Sequence, residues 1–221
     1  MKRADHHRKY PRTRHLPWSP GASRDDLIAG DVETFVDQRV IVTEKMDGEN
    51  TTLYRDHMHA RSLDSRHHPS RNWIKALHGR VAHSIPERWR VCGENLYARH
   101  SIAYTELPSY FMLFSVWDEH DRCLDWDSTV EWAQLLELDL VPVLYDGIFD
   151  RAWFDSLELD LERREGYVVR LASSFDRQDF GVSVAKWVRA GHVQTDTHWM
   201  HAAVVANGLA EEPEQVEEAG S

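Results

Sequence analysis

Lysines are rare in this chain, and one of them stands in a setting suited to chemistry. The sequence has 26 basic residues, of which five are lysines and the rest arginines. Lys45 follows the β-branched segment RVIVTE and precedes Met46, Asp47 and Gly48. A lysine amine becomes a nucleophile once it loses its proton, whereas an arginine in a protein stays charged. We therefore interpret Lys45 as a candidate nucleophile at a strand end, where Gly48 lets the backbone turn beside a bulky ligand.

Four further positions carry side chains suited to phosphate chemistry. Glu94 follows a glycine in VCGENLY and Glu165 precedes one in EGYVVR, and such carboxylates can hold Mg²⁺. Lys186 in VAKWVR is another of the rare lysines, and Arg61 in HARS offers a forked donor for a phosphate. Taken singly, each also fits an ordinary turn or surface position. Arg66 competes with Arg61 for the same role.

One aromatic strand contains a candidate platform for a purine base. In YFMLFSVWD, Phe114 lies twenty residues beyond Glu94, and a flat aromatic face can stack on a base. An aromatic residue in an apolar strand is more often part of the core. Phe111 is the main alternative for stacking, and the sequence leaves the choice open.

The order of these motifs resembles that of the covalent lysine nucleotidyltransferases, and most closely the RNA ligase 2-like family of ATP-dependent RNA ligases. The matching motifs, in chain order, are KMDG from Lys45, HARS with Arg61, GE at Gly93 and Glu94, FMLFSVWD, EGYVVR from Glu165, and VAKWVR with Lys186. The segments TEKMDGEN, YPRTRHLPWSPG and HHPSRNWIKAL look like those of short, stand-alone bacterial and phage members. One departure is Val188, which stands where the family often has a second lysine.

The resemblance implies a role for each motif residue. Lys45 would attack the α-phosphate of ATP, with Lys186 and Arg61 as the other catalytic residues. The nucleotide contacts would come from Glu44, Asp47, Gly48, Glu94, Phe114, Glu165 and Lys186. By their chemistry Glu165 and Glu94 would hold Mg²⁺ or Mn²⁺, whereas the role that the resemblance itself suggests for Glu94 is binding of the ribose hydroxyls. Arg61 and Arg189 would bind a substrate phosphate. Either a strand bulge turns Arg189 toward the site, or the pocket uses one cation fewer.

The activity that this resemblance implies is ATP-dependent joining of RNA ends in RNA repair. A lysine–AMP intermediate forms, AMP passes to a 5′-phosphate, and a 3′-hydroxyl displaces AMP to seal the strand. The expected partners are RNA ends or a nicked duplex, together with an end-healing kinase or phosphatase. Two alternatives stay open, a DNA nick ligase and a nucleotide-binding accessory protein that joins no ends itself.

The elements that must position these residues are short strands and a few helices. Segments rich in Val, Ile and aromatics predict strands at RVIVTEK, RWRVCGENLY, SYFMLFSVWD, GYVVRLA and VSVAKWVR, and two more around a turn at Asp56-His57. Helices are predicted for SRNWIKALHGRVAHSIP with Ser70 as N-cap, for DSTVEWAQLLELD with Ser128 and Glu131 as a capping box, and for RAWFDSLELDLERR. Because strands and helices do not alternate, we predict an α+β fold. With the resemblance, this becomes a nucleotidyltransferase (ATP-grasp-like) domain of antiparallel sheets flanked by helices.

Charge and length predict how the chain is organised. Residues 1–30 are expected to form an extended basic arm packed on the body, residues 31–208 the adenylyltransferase domain, and residues 209–221 an acidic disordered tail. The net charge is −11, so a nucleic acid has to meet a local basic patch such as the arm. Since 32 residues follow Arg189, we expect no OB domain.

Composition also argues against several classes of protein. No apolar run reaches the ~18 residues of a membrane span, and no apolar segment follows the charged N-terminus as it would in a secretory signal. The two cysteines, Cys92 and Cys123, do not suggest a disulfide framework, so a reduced cytoplasmic compartment is expected. The fourteen histidines include the runs DHH and RHHP, neither of which has the spacing of a zinc site.

Overall fold

The computed structural model describes residues 6–30, 32–63, 68–191 and 204–211. The strands in these ranges are β1 (Arg14–His15), β2 (Arg39–Glu44), β3 (Glu49–Leu53), β4 (Met58–Ala60), β5 (Arg90–Asn95), β6 (Phe111–Trp117), β7 (Arg122–Cys123), β8 (Asp139–Leu140), β9 (Val143–Ile148), β10 (Gly166–Leu171), β11 (Phe175–Asp176) and β12 (Val184–Val188). The α-helices are α1 (Asn72–Val81), α2 (Trp126–Leu135), α3 (Arg151–Ser156) and α4 (Phe180–Ser183).

The strands form two sheets, which confirms the predicted α+β fold with largely antiparallel pairing. The first sheet has the order β1-β12-β10-β2-β9, and the second has the order β11-β7-β6-β5-β3-β4 with β8 also paired to β6. The pairs β1–β12 and β6–β8 are parallel. The predicted hairpin is formed by β3 and β4, and the Tyr54 N–H closes its turn by donating to the His57 carbonyl at 2.8 Å.

The chain crosses from the first sheet to the second between β2 and β3. Beyond Arg39, β2 is buried along its length, as expected for a Val- and Ile-rich strand covered on both faces. Val42 packs in the core of the first sheet. Ile41 packs instead with Leu96 and Met112, which come from the side of the second sheet. This packing fixes the end of β2, and therefore Lys45, at the junction of the two sheets.

The first predicted helix starts differently from the expectation. A 3₁₀ turn, Pro69–Arg71, precedes α1, and the His68 side chain accepts a hydrogen bond from the Ser70 N–H. The prediction that Ser70 is the N-cap of this helix is therefore wrong. The physical reason is the proline, whose fixed φ favours the first position of a helical turn.

The second predicted helix starts earlier than its predicted capping box. The N-cap of α2 is Asp125, whose carboxylate accepts from the Ser128 N–H at 2.8 Å and from the Ser128 hydroxyl at 2.9 Å. The prediction of Ser128 and Glu131 as the box is wrong, because an aspartate three residues upstream captures the free N–H group first. Glu131 lies exposed on the helix surface.

The third predicted helix is shorter than the expected fourteen-residue segment. It covers six residues, Arg151–Ser156, and Asp150 caps it by accepting from the Ala152 N–H at 2.9 Å. Leu157 and Leu159 then pack against the core of the first sheet. Two residues that share a face at this spacing require extended backbone rather than helix, so the helix ends before them.

The described part of the N-terminal arm, residues 6–30, lies along the body. Through β1 it pairs with β12 so that His15 stands opposite Lys186. Earlier in the arm, the Tyr10 ring meets the Phe114 ring edge-on, with centroids 5.3 Å apart. The arm therefore runs beside the strand that carries Lys186.

The last described segment runs against the loop that follows β5. The Asn207 N–H donates to the Tyr97 carbonyl at 3.0 Å, and Leu209 bridges to Leu107. Leu209 thus still contacts the body, although it is the first residue of the predicted acidic tail, one residue past the predicted end of the domain at residue 208. The remainder of the predicted acidic tail, residues 212–221, lies outside the described residues.

Two expectations from composition, on disulfides and on membrane spans, can be compared with the described residues. Cys92 and Cys123 are both buried and form no disulfide. Within the part of the chain that is described, no helix is long and apolar enough to span a bilayer.

Candidate active site

Lys45 lies at the junction of the two sheets, in contact with a buried carboxylate. Its backbone N–H donates to the Gly166 carbonyl at 2.9 Å. Its Nζ donates a charge-assisted hydrogen bond to Glu165 Oε2. The Lys45 side chain is 24% exposed, whereas the Glu165 side chain is 1% exposed. The amine is thus within reach of a ligand while its carboxylate partner is shielded from water.

Close packing at the start of β10 holds Glu165 in place. A Cβ atom on Gly166 would lie 2.0 Å from the Trp187 carbonyl oxygen, so only glycine allows β10 and β12 to approach this closely. β10 pairs with β2 on one side and with β12 on the other. The segment EGYVVR therefore sets Glu165 between the strand that leads to Lys45 and the strand that carries Lys186.

Lys186 contributes a second amine to the same site. Burial is the largest cause that lowers the pKa of Lys186 to about 8, and the charge of Lys45 lowers it further. Asp26 and Glu165 oppose this shift, and Arg61 adds to it. Lys45, Lys186 and Arg61 therefore share one electrostatic neighbourhood, although Arg61 comes from the second sheet.

Glu94 brings a carboxyl group from the second sheet. Its Oε1 accepts a hydrogen bond from the Gly48 N–H at 3.2 Å. Burial raises the pKa of Glu94 to about 8; the charge of Lys45 opposes the rise, and the carboxylates of Glu165 and Asp47 add to it. In the ligand-free protein, Glu94 is therefore largely protonated at neutral pH. A bound cation would displace that proton.

Asp47 and Gly48 fix the linker between the two sheets. Asp47 Oδ2 accepts from the Ser101 N–H and hydroxyl at 2.8 and 2.6 Å, and from the Ile102 N–H at 2.8 Å. A Cβ atom on Gly48 would lie 2.5 Å from the Asn95 carbonyl oxygen, which explains the glycine. The predicted nucleotide contacts of Asp47 and Gly48 stay predictions, in addition to this structural role.

Glu44 is tied to an arginine that the sequence analysis did not single out. Its Oε2 accepts from Arg164 Nε at 3.0 Å. Burial raises the pKa of Glu44, and Arg164 opposes the rise. The position of Arg164 directly before Glu165 was a signal that could have found it. The predicted nucleotide contact of Glu44 stays a prediction.

The structure distinguishes the two aromatic candidates on β6. Phe111 is 0% exposed and belongs to the apolar core, so its ring has no free face for a base. The register between β5 and β6 shifts at Cys92 and Gly93, which leaves Phe114 as the extra residue of a bulge. Bulges re-aim side chains beside active sites. Phe114 is half-buried and is the stacking candidate of the two.

The two predicted phosphate-binding arginines are placed differently. Arg61 is exposed directly after β4. The Arg189 guanidinium donates to the Leu161 carbonyl, and the β10–β12 register runs continuously, so no bulge in these described strands turns Arg189 inward. Its contact with a substrate phosphate stays a prediction. Arg66, the rival of Arg61, lies outside the described residues.

A histidine and an aspartate of the arm complete the surroundings of Lys186. His15 is fully buried, with Nδ1 2.9 Å from Ser19 Oγ and Nε2 3.7 Å from Asp26 Oδ2. Burial, followed by the charge of Lys186, lowers the pKa of His15 to about 4, so His15 is neutral at pH 7. Sequence reasoning missed both residues, because only the pairing of β1 with β12 brings them here.

The residues of this cluster fit a phosphate ligand and a hard divalent cation. Lys186 and Arg61 supply positive charge for phosphate oxygens. Glu165 and Glu94 supply carboxylate oxygens, which Mg²⁺ and Mn²⁺ prefer as ligands. Lys45 adds an amine within reach of the same space. Such an arrangement can neutralise a triphosphate while presenting one nucleophile to it.

Comparison with known proteins leads to a family. A sequence model of the family described as RNA ligase matches residues 38–188. The chain belongs to the RNA ligase family. The matched segment starts just before β2 and ends with β12, so it includes both the Lys45 strand and the Lys186 strand. No curated protein sequence matches this chain.

Solved structures of Naegleria gruberi RNA ligase are similar to this RNA ligase family member. A mutant with ATP and Mn has a TM-score of 0.54 and 16% identity, covering 84% of this chain and 57% of that chain. A second mutant with ATP and Mn gives 0.51 and 18%, covering 84% and 56%. A ligand-free mutant gives 0.50 and 20%, covering 71% and 51%. The likeness confirms the nucleotidyltransferase fold. The chain spans just over half the length of these ligases.

Proposed function

We propose that this protein is an ATP-dependent RNA ligase that joins 5′-phosphate and 3′-hydroxyl RNA ends in RNA repair, within the cytoplasm. The observation that carries the proposal is the contact between the Lys45 ammonium and the buried Glu165, in a cluster that also holds Lys186 and Glu94. Family membership supports it, and so do the ATP and Mn named with structures of similar fold.

The first step is the transfer of AMP to Lys45. The ammonium loses a proton, and its hydrogen bond to Glu165 points to a carboxylate that can accept it. The amine then attacks the α-phosphorus of ATP, a P–N bond forms, and the bond to the bridging oxygen breaks to release pyrophosphate. Lys186 and Arg61 offset the charge on the phosphate oxygens. When bound, Mg²⁺ held by Glu165 and Glu94 supplies further shielding of that charge.

The remaining steps move AMP to RNA and seal the strand. A 5′-phosphate oxygen attacks the phosphorus of the lysine adduct, the P–N bond breaks, and the Lys45 amine is restored. A 3′-hydroxyl then attacks the activated 5′-phosphorus, and AMP leaves with the electrons of the broken P–O bond. Phe114 stacks on the adenine during the first of these transfers. The required ends imply partners that supply a 5′-phosphate and a free 3′-hydroxyl, such as a kinase or phosphatase.

The adduct on Lys45 is the direct test of this proposal. Incubation with ATP labelled at the α-phosphate and Mg²⁺ is expected to label the wild-type protein. Lys45→Arg keeps the charge and removes the nucleophile, so its label should be absent. Lys75→Arg is the matched control, because Lys75 is exposed on α1 and should label normally. Equal labelling of wild type and Lys45→Arg would show that Lys45 is not the acceptor.

The substrate is tested separately from the adduct. Nicked duplexes with either an RNA or a DNA 3′-hydroxyl strand are offered with ATP, and the RNA-containing nick is expected to be sealed faster. Faster sealing of the DNA nick would favour a DNA ligase. Adduct formation without sealing of either nick would favour a nucleotide-binding accessory protein. Lys45→Arg should still seal a nick whose 5′-phosphate already carries AMP, since that step does not use the amine.

A further inference from the structure

A second cluster of potential ligand atoms lies where the arm meets the turn between β3 and β4. His6 Nε2 and His7 Nε2 lie 3.6 and 3.4 Å from Asp56 Oδ1. The ligand atoms of the three residues all lie within 4.8 Å of one another. The residues come from segments 49 positions apart in the chain. They form a unit that shares no residue with the cluster around Lys45.

The two nitrogen–oxygen separations are close to those of a tetrahedral metal site. Zinc is bound at about 2.0 to 2.1 Å by imidazole nitrogen and at a similar distance by carboxylate oxygen. Two ligand atoms of a tetrahedron with such bonds are roughly 3.3 Å apart. The two nitrogen–oxygen separations exceed this value by only a few tenths of an ångström, and the ligand nitrogens of His6 and His7 lie within 4.8 Å of each other, so side-chain rotations can close the three ligands around an ion.

The surroundings hold one histidine in position and leave the cluster open to solvent. The His7 ring stacks on the His57 ring, with centroids 4.4 Å apart and planes at 26°. The next residue, Arg8, donates its backbone N–H to the Tyr54 hydroxyl at 2.7 Å. The Asp56 side chain is 49% exposed, and those of His6 and His7 are 28% and 22% exposed. An ion can therefore enter from solvent, and water can complete its coordination.

We propose that His6, His7 and Asp56 bind a divalent transition-metal ion of the zinc class. Two imidazoles and one carboxylate suit Zn²⁺, Co²⁺ or Ni²⁺, whereas Mg²⁺ prefers an all-oxygen shell. The bound ion joins the arm to the β3–β4 hairpin, at whose far end Arg61 stands. The run DHH lacks the spacing of a zinc site because the third ligand comes from a distant turn, which no local pattern reveals.

Metal binding is measured on the untagged full-length protein. Titration with Zn²⁺ is expected to show one site per chain that is separate from Glu165 and Glu94, and Co²⁺ should give the visible absorption of a tetrahedral site. Asp56→Asn and His7→Ala should each weaken the affinity at least about tenfold, since loss of a residue that only hydrogen-bonds a metal ligand already costs about 10–100-fold. His83→Ala is the matched control, since His83 is exposed outside the cluster, and its affinity should equal that of wild type.

Thermal unfolding gives an independent measure of metal binding between the arm and the β3–β4 hairpin. Zn²⁺ should raise the Tm of wild type and of His83→Ala more than that of Asp56→Asn, while Mg²⁺, which Glu165 and Glu94 are proposed to hold, should shift all three by the same amount. Wild type that binds no Zn²⁺ saturably, or variants that bind as tightly as wild type, would overturn the proposal. Neither result changes the Lys45 adduct assay, so this site and the proposed ligase activity can fail separately.

Discussion

At the scale of single residues, the two amines of the active site differ in their surroundings. Lys45 donates to the buried carboxylate of Glu165. Burial and the nearby Lys45 charge lower the pKa of Lys186 to about 8. Near pH 8, therefore, a part of the Lys186 side chains is neutral. An arriving phosphate would restore its charge, which makes Lys186 responsive to the ligand.

Glu94 gives a pH-dependent prediction. Burial is the main cause that raises its pKa from 4.5 to about 8. Between these values the folded chain keeps a proton that the unfolded chain has released, so Glu94 lowers the free energy of unfolding as pH rises. Glu94→Gln mimics the protonated form and lacks this effect. The Tm of the variant minus that of wild type should therefore grow from pH 5 to pH 8 in the ligand-free protein.

This comparison isolates Glu94 from the other titrating groups. Burial and the Lys186 charge lower the pKa of His15 to about 4, which makes stability rise with pH up to the ordinary histidine value. That contribution is the same in both proteins and cancels in the difference. If the Tm of the variant and the Tm of wild type differed by the same amount at every pH from 5 to 8, the Glu94 carboxyl would have an ordinary pKa.

At the scale of elements, substitutions at the start of α2 can tell whether Asp125 or the predicted box of Ser128 and Glu131 caps the helix. Asp125→Ala removes the acceptor for the Ser128 N–H and should lower the free energy of unfolding by about 1 kcal/mol. Glu131→Ala alters the residue of the predicted box that lies exposed, and should change it by less than about 0.5 kcal/mol. Urea unfolding measures both. A larger loss in Glu131→Ala than in Asp125→Ala would restore the predicted capping box.

The strand pair that carries Glu165 and Lys186 depends on one glycine. Gly166→Ala would place a Cβ atom 2.0 Å from the Trp187 carbonyl oxygen, so we expect a loss of at least about 2 kcal/mol in the free energy of unfolding. Labelling of Lys45 by ATP should fall together with the stability, because β10 and β12 must move apart to make room for the methyl group.

Gly79→Ala is the control for this substitution. Gly79 lies in α1, and no atom stands within 4 Å of the position a Cβ would take, so the variant should gain about 0.5 to 1 kcal/mol. If Gly166→Ala were as stable as wild type, the close approach of β10 and β12 would not be required.

At the scale of the whole molecule, a net charge of −11 has to be reconciled with a proposed polyanionic substrate. The arm carries exposed cations, among them Lys9 and Arg12, and runs beside the Lys186 strand. We expect the arm to supply a local basic surface for the RNA. The affinity for RNA should then fall steeply with salt.

Charge removal on the arm tests that expectation. Lys9→Gln combined with Arg12→Gln should weaken RNA binding and reduce the slope of log affinity against log salt by about 1.4 to 1.8, at roughly 0.7 to 0.9 per phosphate contact. The matched control is Lys75→Gln with Arg80→Gln, two exposed cations of α1. Filter binding at several salt concentrations measures both slopes. An equal change in the two double variants would place the RNA elsewhere than on the arm.

Residue types and their local order by themselves determined most of the longer strands, though not β9 (Val143–Ile148), and the candidate residues. β2, β6, β10 and β12 lie in the segments that Val, Ile and aromatic residues predicted, because strand preference depends on side chains near in sequence. The rarity of lysine among the basic residues, together with the order of the motifs, singled out Lys45 and Lys186. The N-cap at Asp125 was also local, but Ser128 offered a competing pattern of equal strength.

The tertiary structure alone decided which distant groups meet. Glu165 lies 120 positions beyond Lys45 and still contacts its amine. His15 stands against Lys186, and Asp56 against His7, also through contacts between segments far apart in the chain. Neither spacing nor composition encodes such neighbours, since sheet pairing and core packing set them through the whole chain at once. Burial decides the protonation of Glu94 for the same reason, because it arises only when both sheets are in place.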